Sequence, residues 1–309
     1  MFHTQAYNEE TRLVASKLPK TERQMLIRYL LVKYPVFNEA SAFISHFHLP
    51  VAGGVHDVGN IGGLLGETRA GKSDICQYYA SQFPTVVTDD GDQYPVIYFE
   101  ATSETTSSSF AETLYLRTGA RSVPGKMKVP ALITNSIARI ARLGVQLVII
   151  DDAQYMFFER TQKEIKNFVS LIKQLADAKA FNILLSGEDR LETLFEHNGV
   201  LDGRGGFPAY PLKPLSDSHN DFEKFELLLH SVDLRLPFPK LSGLGKASLA
   251  KEFYRYSDGV IGRVMNLVRP AANRALDAGS SNILIEHLYE EAAVRTKRGS
   301  GHVYFKGGM

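Results

Sequence analysis

With 309 residues, 44% hydrophobic and 22% charged, the chain has the composition of an ordinary folded protein with room for one large core and a second, smaller domain. A formal net charge of +1 advertises no polyanionic partner, so any nucleic-acid contact has to come from a local basic patch. No apolar run nears the ~20 residues of a membrane span, "MFHTQAYNEETR" has neither part of a secretory leader, and Cys76 stands alone; the expectation is a cytoplasmic protein with no membrane partner.

Residues 1–50 read as a helical N-terminal extension. Its clearest stretch is "TERQMLIRYLLVKY", where Met25, Leu26, Tyr29, Leu30 and Val32 or Lys33 fall near helical spacing behind Thr21 as a cap. From 58 to 212 short apolar runs alternate with amphipathic ones. In order they are "GGLLG", "SDICQYYASQF", "PVIYFEA", two helical stretches near 109–117 and 130–142, "QLVIID", "KEIKNFVSLIKQLADA", "FNILLSG" and "AYPL". Strand-length runs separated by helices predict an α/β core over 51–215, with a mainly parallel sheet covered on both faces. After Pro214 the strand signals stop, and "LGKASLAKEFYRYS", "GRVMNLVRPAANRALDAG" and "ILIEHLYEEAAVRTKR" predict a small C-terminal helical domain over 216–296. The end, 297–309 with "GSGHVYFKGGM", reads as a flexible tail. Cys76, four residues after Lys72 in a helical stretch, reads as a small packing residue, with a reactive thiol as the alternative.

"GETRAGKS", residues 66–73, lies between the first strand and a helix and fits G-x-x-x-x-G-K-[ST]. In such a loop the glycines let successive N–H groups turn inward around phosphates, and the following helix directs its positive end at the same anion. Gly66, Glu67, Thr68, Arg69, Ala70 and Gly71, with Asp74 just inside the helix, form the cradle. Lys72 is expected to neutralise the β- and γ-phosphates, and Ser73 to ligate magnesium. A Gly-containing turn capped by a helix is the plainer alternative.

The run "QLVIIDDAQ" ends a strand in two acids. Asp151 takes the position that supports magnesium and Asp152 the one that orients attacking water, both at the C-terminal edge of the sheet where phosphates lie. A solvated acidic turn is the alternative for the pair on its own.

Together these motifs resemble AAA+ ATPases, and more narrowly the TniB/TnsC family of transposition regulators. The likeness runs from about residue 55 to 292, through "LLGETRAGKS" as Walker A, "PVIYFEA", "LGVQLVIIDDAQYM" as Walker B, "ADAKAFNILLSGEDRLETLF", "GRGGFPAYPLKPL", "LPFPKLS" and "SDGVIGRVMNLVRPAANRAL". The last is the most family-specific. IstB and DnaC-like ATPases share the core and match the helical lid less well.

The resemblance implies an AAA+ P-loop core with a helical lid, ATP and Mg2+ as cofactors, and ATP hydrolysis, which the shorter acid at Asp152 is expected to make slow. Arg204 matches the arginine that reaches a neighbouring subunit's γ-phosphate, and Arg263 the one that senses it in cis; solvated surface arginines are the alternatives. Ser186 is placed to supply the polar contact to the γ-phosphate, because Glu188 stands where relatives carry a small hydroxyl or amide. Asp152 replaces the usual glutamate and is one methylene shorter. The implied partners are double-stranded DNA, a transposase, a TniQ-type target-selection protein and further copies of the chain. Arg121, Lys126, Lys128, Arg160, Lys163 and Lys166 are the candidate phosphate contacts, although the last two also suit a plain exposed helix face.

Overall fold

A computed structural model describes residues 2–89, 91–125, 127–197, 206–296 and 302–306. It divides into two compact units: residues 36–68 with 72–212, and residues 1–35 with 69–71 and 213–309.

The first unit is α/β. Its strands are β1 (Ile61–Leu65), β2 (Val86–Thr88), β3 (Gly91–Gln93), β4 (Val96–Glu100), β5 (Leu147–Asp151), β6 (Asn182–Gly187) and β7 (Ala209–Pro211). Five of them form one sheet in the order β4-β5-β6-β1-β7, and every pairing in it is parallel. Every residue of β1, β5 and β6 is buried, which is why these runs read as continuously apolar. β2 and β3 make a separate, mostly exposed antiparallel hairpin that no apolar alternation announced.

Helices α3 (Pro35–His48), α4 (Lys72–Ser81), α5 (Ser107–Arg117), α6 (Val129–Arg142), α7 (Gln154–Phe157), α8 (Gln162–Asp177) and α9 (Arg190–His197) surround this sheet; the helices before α3 and after α9 belong to the other unit. Capping boxes start two of them, Thr106 with Ser109 on α5 and Thr161 with Glu164 on α8. Phe168, Leu171, Ile172, Leu175 and Ala176 are the buried stripe of α8, and Phe110, Phe157 and Phe168 pack edge to face in the core they enter. At the far end of α3, His48 is buried between the Tyr79 hydroxyl (2.9 Å from Nδ1) and Gln146 Oε1 (2.9 Å from Nε2). Burial holds its pKa down at about 4.

The second unit is helical: α1 (Glu9–Ser16), α2 (Lys20–Arg28), α10 (His219–Asp233), α11 (Ala247–Ser257), α12 (Ile261–Asp277) and α13 (Ile285–Arg295). The N-terminal segment is therefore split. α1 and α2 pack with the C-terminal helices, whereas α3 belongs with the sheet. Buried Arg12 donates to the carbonyls of Asp233, Leu234 and Leu236, and Arg23 donates to Pro237 O at 2.8 Å. Asp233 in turn accepts from the N–H groups of Ser242, Gly243 and Leu244, so the "LPFPKLS" stretch is held by charge-assisted bonds rather than by regular structure.

Two expectations need correction. The helical run over 21–34 stops at Arg28, and its cap is Pro19 rather than Thr21. Residues 29–31 instead run beside His3, with His3 N donating to Tyr29 O and Leu31 N to His3 O, and Pro35 starts a new helix. The expected flexible tail includes residues 302–306, where Phe305 is 2% exposed against Phe253 and its N–H donates to Glu252. Among the described residues no helix is long and apolar enough to cross a membrane.

Candidate functional site

The parallel sheet brings the ends of β1, β4, β5 and β6 to one edge, in register: Leu65 opposite Gly187, and Glu100 opposite Asp151. The loop 66–73 leaves this edge from β1. Gly66 has φ 154°, and a Cβ there would lie 2.5 Å from Leu212 O, so both conformation and space require glycine. Gly71 (φ 100°) and Arg69 (φ 70°) turn the chain again before α4 begins at Lys72. Lys72 is 6% exposed, and its ammonium curls back to donate to Gly66 O (2.7 Å) and Glu67 O (2.8 Å). Burial pulls its pKa down, while Asp151, Asp152, Asp189 and Glu188 act to raise it. A lysine held in the loop amid carboxylates is placed to exchange carbonyl partners for phosphate oxygens. Ser73 is half-buried on the next position of α4.

Asp151 is fully buried. Ser186 Oγ donates to its Oδ1 at 2.6 Å, Asp152 N to the same oxygen at 3.0 Å, and the Tyr98 hydroxyl lies 2.8 Å from Oδ2. Ser186 thus supports the Asp151 carboxylate from the neighbouring strand. Asp152 sits in the left-handed region at φ 51°, with Oδ1 accepting from Gln154 Nε2 at 3.0 Å. Burial pushes the Asp152 carboxyl up, against the Gln154 hydrogen bond.

The donor set suits a small hard cation. Among the described residues no three His, Cys, Asp or Glu side chains gather as a metal cluster. Ser73 and Asp151 offer oxygen only, which is how magnesium is held when phosphate and water complete its octahedron.

Cys76 is completely buried, and burial pushes its thiol well up, so it fills space. Arg263, on α12, donates to Asp258 Oδ2 at 2.8 Å and lines a cavity of about 830 Å³ with Arg69, Arg269, Arg295, Tyr256 and Tyr304. Gly259 and Gly262, from the "DGVIGR" signature, are glycines because a methyl group would overlap Leu215 O and Arg69 O respectively, and Gly262 N donates to Arg69 O at 3.0 Å. Arg204 lies outside the described residues, as does Lys126. Arg121, Lys128, Lys163 and Lys166 are exposed. Arg160 is engaged elsewhere, donating to Tyr155 O (3.0 Å) and Ser103 O (2.6 Å).

Residues 56–195 match the family model described as an AAA domain. The fold is that of AAA+ P-loop ATPases. Cdc6p from Pyrobaculum aerophilum superposes with a TM-score of 0.58 at 10% identity, over 84% of this chain and 66% of that one. The ORC1 protein of Aeropyrum pernix, solved in complex with DNA, gives 0.59 at 15%, over 84% and 64%. The ORC2 protein of Aeropyrum pernix, solved as ADPNP-ADP complexes, gives 0.56 at 12%, over 84% and 67%. The chain spans about two thirds of the length of each. No curated protein matches it significantly. The strand order β4-β5-β6-β1-β7 puts the loop 66–73 and the strand-end acids at one edge.

Sequence reasoning missed Tyr98, which touches Asp151, and Gln77 and Glu100, which bond to the Tyr98 hydroxyl. The signal was present: in "PVIYFEA", Tyr98 and Glu100 are two apart and so share a strand face ending at the same edge.

Proposed function

We propose that the chain is an ATP-driven switch of the TniB/TnsC type, binding ATP and Mg2+ through residues 66–74 and Asp151. One observation carries this: buried Lys72, at the start of α4, and buried Asp151, at the end of β5, lie near enough that the carboxylate acts to raise the lysine's pKa. In this reading Lys72 binds the β- and γ-phosphates, and Ser73 and Asp151 hold the cation, which screens charge on the transferred phosphoryl group. Asp152 orients the attacking water, while Arg204 from a neighbouring copy and Arg263 in cis contact the γ-phosphate. Nucleotide bound between copies favours assembly into a ring or filament by its higher affinity for the assembled state, and hydrolysis reverses it. The assembly encircles double-stranded DNA and recruits a transposase and a TniQ-type protein in the cytoplasm. The "DGVIGR" stretch, whose two glycines are sterically required, supports the subfamily.

A second reading, an IstB or DnaC-like loader with little hydrolysis, is favoured by Asp152: the shorter acid is tied to Gln154 in a left-handed backbone. Negative-stain imaging on duplex DNA with a nonhydrolysable ATP analogue separates the two. Continuous filaments or closed rings, lost on Lys72→Ala, belong to the first; isolated particles belong to the second. Lys72→Ala protein that clusters on DNA as well as the wild type would refute the nucleotide switch.

A further inference from the structure

Tyr98 and Glu100 leave the same face of β4 at its C-terminal end. The Tyr98 hydroxyl lies 2.8 Å from Asp151 Oδ2 and 2.9 Å from Glu100 Oε1. Gln77 Nε2, from α4, donates to that hydroxyl at 3.0 Å and to Glu100 Oε1 at 3.2 Å. A phenol has one proton to donate. With Gln77 on its acceptor side, the hydroxyl serves one carboxylate at a time, and the other faces an oxygen lone pair. Rotation about the C–O bond changes which; no bond to hydrogen breaks.

We propose that Tyr98 is a positioning residue whose hydroxyl turns between Asp151 and Glu100, so that Glu100 sets how much charge Asp151 presents to a divalent cation. The inference rests on the nucleotide reading of this site. With the hydroxyl on Asp151, three donors draw on its two oxygens. Turned to Glu100, the hydroxyl leaves Asp151 with two donors, Ser186 and the Asp152 N–H, both on Oδ1, while Oδ2 loses its donor and faces the phenol oxygen, whose lone pair a cation would relieve. Glu100, exposed at the edge, thus favours the cation-bound form by accepting the donor that Asp151 gives up. Gln77, on the helix that also carries Lys72 and Ser73, keeps the accepting oxygen in place.

The test is a double-mutant cycle on Mg2+ enhancement, the ratio of a nonhydrolysable ATP analogue's affinities with and without Mg2+, read by calorimetry. Glu100→Ala is expected to reduce that ratio roughly tenfold, and by less than about threefold in a Tyr98→Phe background, where no hydroxyl remains to be turned. Glu100→Gln keeps a carbonyl oxygen where Gln77 holds it and is expected to recover most of the loss, a readout that needs no Tyr98 variant. Equal cost of Glu100→Ala in both backgrounds, or Glu100→Gln as poor as Glu100→Ala, would mean that Glu100 acts only as a charge and would overturn the proposal. Wild-type protein that gains nothing from Mg2+ would overturn the nucleotide reading and this inference with it.

Discussion

Gly66→Ala is the sharpest test of the loop geometry. Two separate penalties meet at this residue: φ is 154°, and an added methyl would stand 2.5 Å from Leu212 O. A non-glycine residue in a sparsely populated backbone region costs about 1–3 kcal/mol. Forcing a methyl into filled space costs about 1–3 kcal/mol more. Leu212 has little room to retreat, because its own N–H donates to Leu65 O at 2.6 Å. The sum, roughly 2–6 kcal/mol, is a large share of the 5–15 kcal/mol by which a domain is ordinarily stable. Gly71→Ala is the internal control. Gly71 has φ 100° but nothing within 4 Å of its would-be Cβ, so only the backbone penalty applies. Urea denaturation of both variants measures the difference. Gly66→Ala should be the less stable by about 1–3 kcal/mol, and it should also lose nucleotide affinity, since moving the loop away from Leu212 displaces the N–H groups expected to cradle phosphate. Equal midpoints and slopes for the two variants would refute the claim that close approach to Leu212, and not φ alone, fixes glycine at the head of this loop.

If Asp152 orients the attacking water as proposed, Asp152→Glu should raise ATP turnover roughly tenfold or more, because a shortfall near 1 Å at a catalytic group costs about a hundredfold; a steady-state assay showing no gain would refute the proposal that the shorter acid limits hydrolysis. Alanine at Lys126, Lys128, Lys163 and Lys166 together should weaken duplex binding and reduce the slope of log affinity against log salt by about 1 for each phosphate no longer neutralised, with ATP affinity preserved; unchanged DNA affinity would clear this surface of the role. His48 makes stability depend on pH. Its folded pKa is about 4 against an ordinary 6.5, so as pH falls through that window the unfolded chain takes up a proton that the folded one refuses, and stability drops on the order of 2 kcal/mol after allowing for solvent screening. Thermal melts between pH 7 and pH 4 should show a slope that His48→Gln reduces; identical slopes would exclude His48 as its source.

The alternation of apolar runs with amphipathic ones was enough by itself to determine an α/β core, because buried parallel strands have no polar face to show. The motifs at 66–73 and at 151 and 152 stand out in the sequence for a different reason, since a phosphate loop is defined by particular residue types at fixed local spacing, and the structure places both at one edge of the sheet. Only the tertiary structure decided that residues 1–35 pack with 213–309 while α3 joins the sheet, because their contacts link residues more than two hundred positions apart, as Arg12 does with Leu234. The same holds around Asp151. That Ser186 serves a carboxylate, that Tyr98 stands between two acids and that Arg160 is spent on backbone carbonyls all depend on which strands and loops are neighbours. Local periodicity says which face of an element is buried; what lies across from it is set by strand order and register, and those emerge only when the chain has folded.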